Sequence, residues 1–198
     1  KKDFSNLRKI GTSIRNTIAQ AQFPQSIKMS VEKGYDALVK KYGKDISLAV
    51  RSSATAEDLP NASFAGQQET YLNVKGFDEL IAACRKCYAS LFTDRAIKYR
   101  EDNHFDQTKV ALSIGIQLMV RSDLAASGVN FTLDPDTGFD KVVLVSSIWG
   151  LGENIVQGSI NPDEYFVFKP SLKKGIRQPI ISRKLGSKEK TMIYDSSG

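Results

Sequence analysis

The sequence is poor in the residues that build metal and redox centres. Among 198 residues there is one histidine, and there are two cysteines. Cys84 and Cys87 are spaced Cys-x-x-Cys, but a structural zinc site needs two further thiolate or imidazole ligands, and only His104 is available. A redox pair belongs at a strand-to-helix turn. These two fall inside a helical pattern, where a spacing of three brings them toward one face. They read as core or half-buried thiols in a reducing compartment. No apolar run approaches the ~20 residues needed to cross a bilayer, and no charged-then-apolar leader opens the chain. The expectation is a cytoplasmic protein with no membrane partner. Internal repeats and low-complexity tracts are also missing.

Charge of one sign is not concentrated anywhere. The net charge is +6, but Lys and Arg are scattered, with modest clusters at Lys40-Lys41, at Lys173-Lys174 and over residues 183–190. A nucleic-acid binder would gather them in one stripe with aromatics between, so no nucleic-acid partner is expected. The charge reads as a solvated surface or as a field that gathers a nucleotide triphosphate. Hydrophobic residues at 41% and charged residues at 25% describe a globular protein able to bury a core, in one large domain or two small ones. The start at Lys1 without Met, and the end at Ser196-Ser197-Gly198, suggest a piece cut from a longer protein.

Periodicity gives the organisation. Leu7, Ile10, Ile14 and Ile18 recur at helical spacing over residues 4–22; Val31, Tyr35, Leu38 and Val39 do so over 27–42, before a stop at Gly43. Residues 46–50 form an apolar strand. Residues 77–101 read as the longest helix, with Phe77, Leu80, Ile81, Cys84, Tyr88, Leu91 and Phe92 as its core stripe. Residues 110–120 alternate strictly. Val110, Leu112, Ile114, Ile116, Leu118 and Val120 face one way, and Ala111, Ser113, Gly115, Gln117 and Met119 the other, a face too small for a second core. It suits either the floor of a ligand site or a face covered by a loop.

Residues 128–133, 141–149, 163–169 and 178–184 read as further strands, with turns at 134–138 and 173–175. Strands outnumber helices and often follow one another directly, which points to an α+β fold with antiparallel sheet. The tail over residues 188–198 is polar and expected to be loose. The expected division is a helical lead-in at 1–45 and a core at 46–198, incomplete at both ends.

The most informative run begins at Val50-Arg51-Ser52-Ser53-Ala54-Thr55 and continues through Ala62, Ser63, Ala65 and Gly66. The strand delivers Arg51 into a loop of small and hydroxyl residues. Small side chains let backbone approach a ligand, amides and hydroxyls donate to phosphate oxygens, and a fixed guanidinium adds forked charge. An arginine among serines also suits an ordinary surface, and chemistry alone leaves both open. Gly150-Leu151-Gly152-Glu153 follows a strand with two glycines and a carboxylate, but is neither a Walker loop nor a dinucleotide fingerprint.

The Arg51 run closely resembles the nucleotide-binding domain of the phosphoenolpyruvate synthase family and of its relatives pyruvate phosphate dikinase and rifampin phosphotransferase. Ser90-Leu91-Phe92-Thr93-Asp94-Arg95, Ala126-Ser127-Gly128-Val129-Asn130-Phe131-Thr132, Gly150-Leu151-Gly152-Glu153, Asn161-Pro162-Asp163-Glu164-Tyr165 and Arg183-Lys184-Leu185-Gly186-Ser187-Lys188 follow in the family's order, so the likeness covers residues 24–194. The resemblance implies an ATP-grasp-like fold, with ATP and Mg²⁺ bound by Arg51, Ser52, Ser53, Gln117, Thr132 and Glu153. Arg51 is then the residue expected to act on the phosphates, and Glu153 the candidate metal carboxylate. It also implies a phosphotransferase reaction, ATP, pyruvate and water giving AMP, phosphoenolpyruvate and phosphate, through a phosphohistidine on another domain and a pyruvate-binding barrel. His104 sits in a context unlike that of the carrier histidine and reads as a surface residue. Arg95 suits a structural ion pair as well as a site. The upstream Gly-Gly-Lys loop and the downstream Asp-x-Glu and Gln-x-Arg segment are absent, so this stretch alone is expected to be inactive. A rifampin phosphotransferase, a pyruvate phosphate dikinase and a non-catalytic nucleotide module are the alternatives.

Overall fold

The computed structural model describes residues 6–55, 58–59, 62–63 and 69–195. The fold is α+β, and the chain forms two compact units, Lys1–Met119 and Val120–Gly198. The boundary expected after residue 45 therefore falls inside the first unit.

In that unit, helix α1 (Leu7–Gln20) and helix α2 (Gln25–Tyr42) precede strand β1 (Leu48–Ala54), two short strands β2 (Asp58–Leu59) and β3 (Ala62–Ser63), and β4 (Thr70–Val74). Helices α3 (Phe77–Ser90) and α4 (Asp94–Asp102) and strand β5 (Leu112–Leu118) complete it. The main sheet is antiparallel in the order β4-β1-β5, so β1 is central. Its core joins Ile46, Leu48, Val50 and Val74 to Leu80, Ala83, Cys84 and Cys87 of α3, with Val31, Tyr35, Leu38 and Val39 of α2 against them. Leu48, Val50, Leu80 and Cys87 are wholly or almost wholly buried; each such aliphatic side chain contributes about 1.5–3 kcal/mol through its removal from water. The cysteines are thus free core thiols, as their helical spacing suggests. Burial pushes Cys84 up to about 11 and Cys87 up to about 12.

Several expectations need correction here. The single helix over 77–101 is two helices. Thr93 accepts the Ala96 N–H on its Oγ1 at 3.2 Å, an N-cap that starts α4 afresh. The junction is tied from two sides. Arg15 of α1 donates to Phe92 O at 2.6 Å and to Asp94 Oδ1 at 3.2 Å. Buried Arg100 donates to Leu91 O, donates to Gln107 Oε1 at 2.6 Å, and lies over the Phe92 ring. Ile10, placed in the α1 stripe by spacing, is 55% exposed. The alternating segment is a strand, but Val110 and Val120 lie outside it, and Leu112, Ile114 and Ile116 are half-buried rather than fully covered. His104 is exposed beyond α4.

In the second unit, a 3-10 turn (Ser122–Leu124) leads into β6 (Ala126–Phe131), β7 (Val142–Trp149), the short helix α5 (Glu153–Val156), β8 (Asp163–Phe168), helix α6 (Lys169–Lys173) and β9 (Ile180–Lys184). The four strands form an antiparallel meander in chain order. Val142, Leu144, Ser146 and Ile148 of β7 are buried on one face. Where a plain turn over 173–175 is expected, α6 fills the connection. The polar tail is tied to the rest of the unit as far as Met192. Lys188 bonds to Asp163, and Met192 bridges Gly150. Composition hides these ties because they are made to distant backbone and carboxylate groups.

Candidate functional site

The expected loop at Arg51 is a strand. Arg51, Ser52 and Ser53 lie within β1 and pair in register with Gly115, Ile114 and Ser113 of β5, while Arg51 also pairs with Thr70 of β4. Their amides belong to sheet ladders, so the backbone cradle expected there does not form at these residues. Ala65 and Gly66, the rest of that expected loop, lie outside the described residues.

Strand geometry creates a different site. Leu48, Val50 and Ala54 point into the core, and Arg51 and Ser53 point the other way and are exposed. Ser52 belongs with the core-facing set and is half-buried, so it does not join Arg51. Residues paired directly across an antiparallel ladder share a face. Ala49 is opposite Gln117, Arg51 opposite Gly115 and Thr70, and Ser53 opposite Ser113. Arg51, Ser53, Thr70, Ser113 and Gln117 therefore stand together on the sheet face away from α3. A Cβ placed on Gly115 would meet nothing nearer than the Arg51 carbonyl oxygen at 3.9 Å. The residue facing the guanidinium thus leaves it open space. Among the described residues Arg51 makes no ion pair. The face offers a charged fork, hydroxyl groups and one amide, the donor set for phosphate and polar nucleotide atoms.

Thr132 and Glu153 belong to the second unit. Thr132 follows β6 and is exposed, and its carbonyl accepts from Lys169 Nζ. Gly150 has φ +78° and lies against Met192, whose carbonyl accepts the Leu151 N–H at 2.9 Å. Glu153 opens α5, is exposed, and accepts from Gln157 Nε2 on Oε1 at 2.8 Å. Thr132 lies beside the start of β7, and Glu153 beyond its end. The chain turns back so that Gly152 lies against Ser127 of β6; at ~3.3 Å per residue the five residues from Ser127 to Thr132 span roughly 16 Å, so Thr132 and Glu153 are not neighbours. No group of three or more metal-ligating side chains occurs among the described residues. One exposed carboxylate fits an ion such as magnesium, which takes most of its ligands from phosphate oxygens and water.

Two other sequence motifs also meet in this unit. Asp163 Oδ1 accepts from Gly186 N–H at 2.9 Å and from Lys188 Nζ, and these bonds, the lysine's first, hold its carboxyl below the usual carboxylate range. Sequence reasoning missed Lys169 and this Asp163–Lys188 tie, because neither follows from local periodicity.

The chain matches, over residues 1–198, the family described as pyruvate phosphate dikinase, AMP/ATP-binding domain, and it belongs to that family. It is 54% identical over 201 residues to a phosphoenolpyruvate synthase of Synechocystis sp., covering 99% of this chain and 24% of the relative. Proteins of the same name from Aquifex aeolicus (52% over 193 residues, 97% of this chain, 22% of the relative) and Escherichia coli (50% over 192 residues, 97% and 24%) are also similar. The chain spans about a quarter of the length of these curated relatives.

Proposed function

We propose that this chain is the ATP-binding part of a phosphoenolpyruvate synthase. ATP, pyruvate and water become AMP, phosphoenolpyruvate and phosphate, and the phosphoryl group travels on a histidine of a separate domain to a pyruvate-binding barrel. In this reading the chain is part of an ATP-grasp-like module that works in the cytoplasm. The observation that carries it is the Arg51 face: a guanidinium, hydroxyls and Gln117 on one sheet surface, with glycine opposite the cation.

Arg51 neutralises charge on the triphosphate and fixes its orientation, and Gln117 and Ser53 complete the polar surface around it. Catalysis of this kind rests on positioning and on charge stabilisation. Magnesium arriving with ATP would neutralise further phosphate charge, with Glu153 as its protein ligand. Thr132 is the other residue of the second unit that this reading assigns to nucleotide binding. The chain alone forms no phosphoenolpyruvate, since the carrier histidine and pyruvate site lie elsewhere.

Residue-resolved NMR of the chain during titration with Mg-ATP tests this, because it detects weak binding. Amide shifts at Arg51, Ser53, Ser113, Gly115 and Gln117 are expected. Shifts confined to α3 and the core face of β1 would contradict the reading.

A further inference from the structure

We propose that Lys169 is a positioning residue for the nucleotide, acting through Thr132. The inference rests on the ATP-binding reading of Thr132 and deepens it. Lys169 opens α6 directly after β8, far from Thr132 in sequence. Its Nζ donates to the carbonyl of Thr132 and to the carbonyl of Asp140 at 2.7 Å. Its own N–H donates to Lys141 O at 2.8 Å. One residue thus grips both arms of the β6–β7 connection, where the chain leaves β6 and where it returns to β7.

The tip of that connection closes without Lys169. Asp134 N–H donates to Phe139 O at 3.0 Å, and Gly138 N–H to Asp134 O at 2.8 Å. Asp136 N–H donates to Asp134 Oδ1 at 3.2 Å. These bonds shape the turn but do not fix Thr132 against the sheet. The lysine does so, and it takes the Thr132 carbonyl rather than its hydroxyl. The exposed side chain stays available for a ligand while its backbone is anchored. An ammonium has three donors and no acceptor, so two carbonyls from opposing arms suit it. Displacing the anchor moves the threonine even though Lys169 itself touches no ligand, and small misplacements of positioning groups carry large effects on binding and rate.

The test uses the full-length enzyme carrying this chain, with Lys169→Met, Lys169→Arg, Thr132→Ala and the Met/Ala double variant. For each, KM for ATP, KM for the phosphoryl acceptor, kcat and Tm are measured. Lys169→Met is expected to raise KM for ATP about tenfold, the usual effect of losing a charged hydrogen bond, and to leave KM for the acceptor unchanged. Thr132→Ala is expected to do the same. The double variant should be no worse than Thr132→Ala, because the two changes remove one function. A lower Tm with unchanged KM for ATP overturns the proposal, as do effects of the two substitutions that multiply. Should Lys169→Met fail to fold, Lys169→Arg decides. Arginine keeps the charge and has enough N–H donors for two carbonyl acceptors, so it should hold KM for ATP within about twofold, and a tenfold rise in a folded variant is contradictory. If Thr132→Ala leaves KM for ATP unchanged while Arg51→Ala raises it, Thr132 is not a nucleotide residue. The proposal then falls, and the ATP-binding reading of the domain stands.

Discussion

Arg51 of β1 and Gly115 of β5 face each other across an antiparallel ladder, on the side of the sheet turned away from α3. The cation thus projects over a position with no side chain, and Gln117, two residues along β5, shares its face. Positive charge, free space and a polar amide are brought together by strand register rather than by a loop.

Gly115→Val should separate the site from the fold. A Cβ at this position would have its nearest neighbour 3.9 Å away, and valine is at home in a strand. Tm should change little, by an amount corresponding to less than about 1 kcal/mol. Branched methyls beside the guanidinium should nevertheless weaken ATP binding clearly. A loss of stability with unaltered ATP affinity would mean that Gly115 serves the sheet alone.

The Gly150 turn should be less tolerant. Gly150 and Gly138 both have positive φ, +78° and +73°. A Cβ on Gly138 meets nothing within 4 Å, whereas one on Gly150 would lie 2.3 Å from Met192 O. Gly138→Ala should cost about 1 kcal/mol for backbone strain alone. Gly150→Ala adds a backbone clash and should cost at least about 2 kcal/mol, read by urea denaturation. Equal costs would show that the Met192 segment yields easily.

Core thiols make a pH prediction. The folded-state values of about 11 and about 12 for Cys84 and Cys87 lie above the ordinary thiol value of ~8.5. The folded state therefore retains protons that the unfolded state releases. The stability they contribute is complete below ~8.5 and is lost as pH rises from there through about 11 to 12. At pH 8 a thiol-disulfide reagent should leave both cysteines unmodified in the native protein and modify both in denaturant. Rapid native labelling would contradict their burial.

Much of this architecture is legible in the sequence where one face of an element is apolar. Alternation of Ile114 and Ile116 with Gly115 and Gln117 is enough to define β5 and to put Gln117 on the uncovered side. Small hydroxyl residues after Arg51 resemble a loop because their propensity is weak. Pairing on both sides of Arg51, and continued pairing with β5 as far as Ala54, overrides that propensity. The break between α3 and α4 is masked by Leu91 and Phe92, which prolong the helical stripe while Thr93 caps a new helix. Lys169 is invisible to pattern reading, since its partners are backbone carbonyls at residues 132 and 140.

The central claim is that the Arg51 face grips ATP. Isotope transfer measured separately for the two half-reactions of the full-length enzyme tests it most directly. Arg51→Ala should slow phosphorylation of the histidine by ATP roughly a hundredfold to a thousandfold, the usual effect of losing one such charge contact at a transition state. Arg51→Lys should restore little, because an ammonium lacks the forked contact. Transfer from phosphoenolpyruvate to the histidine should be largely intact in both variants. Equal losses in the two half-reactions would contradict the account and make Arg51 a residue of the fold.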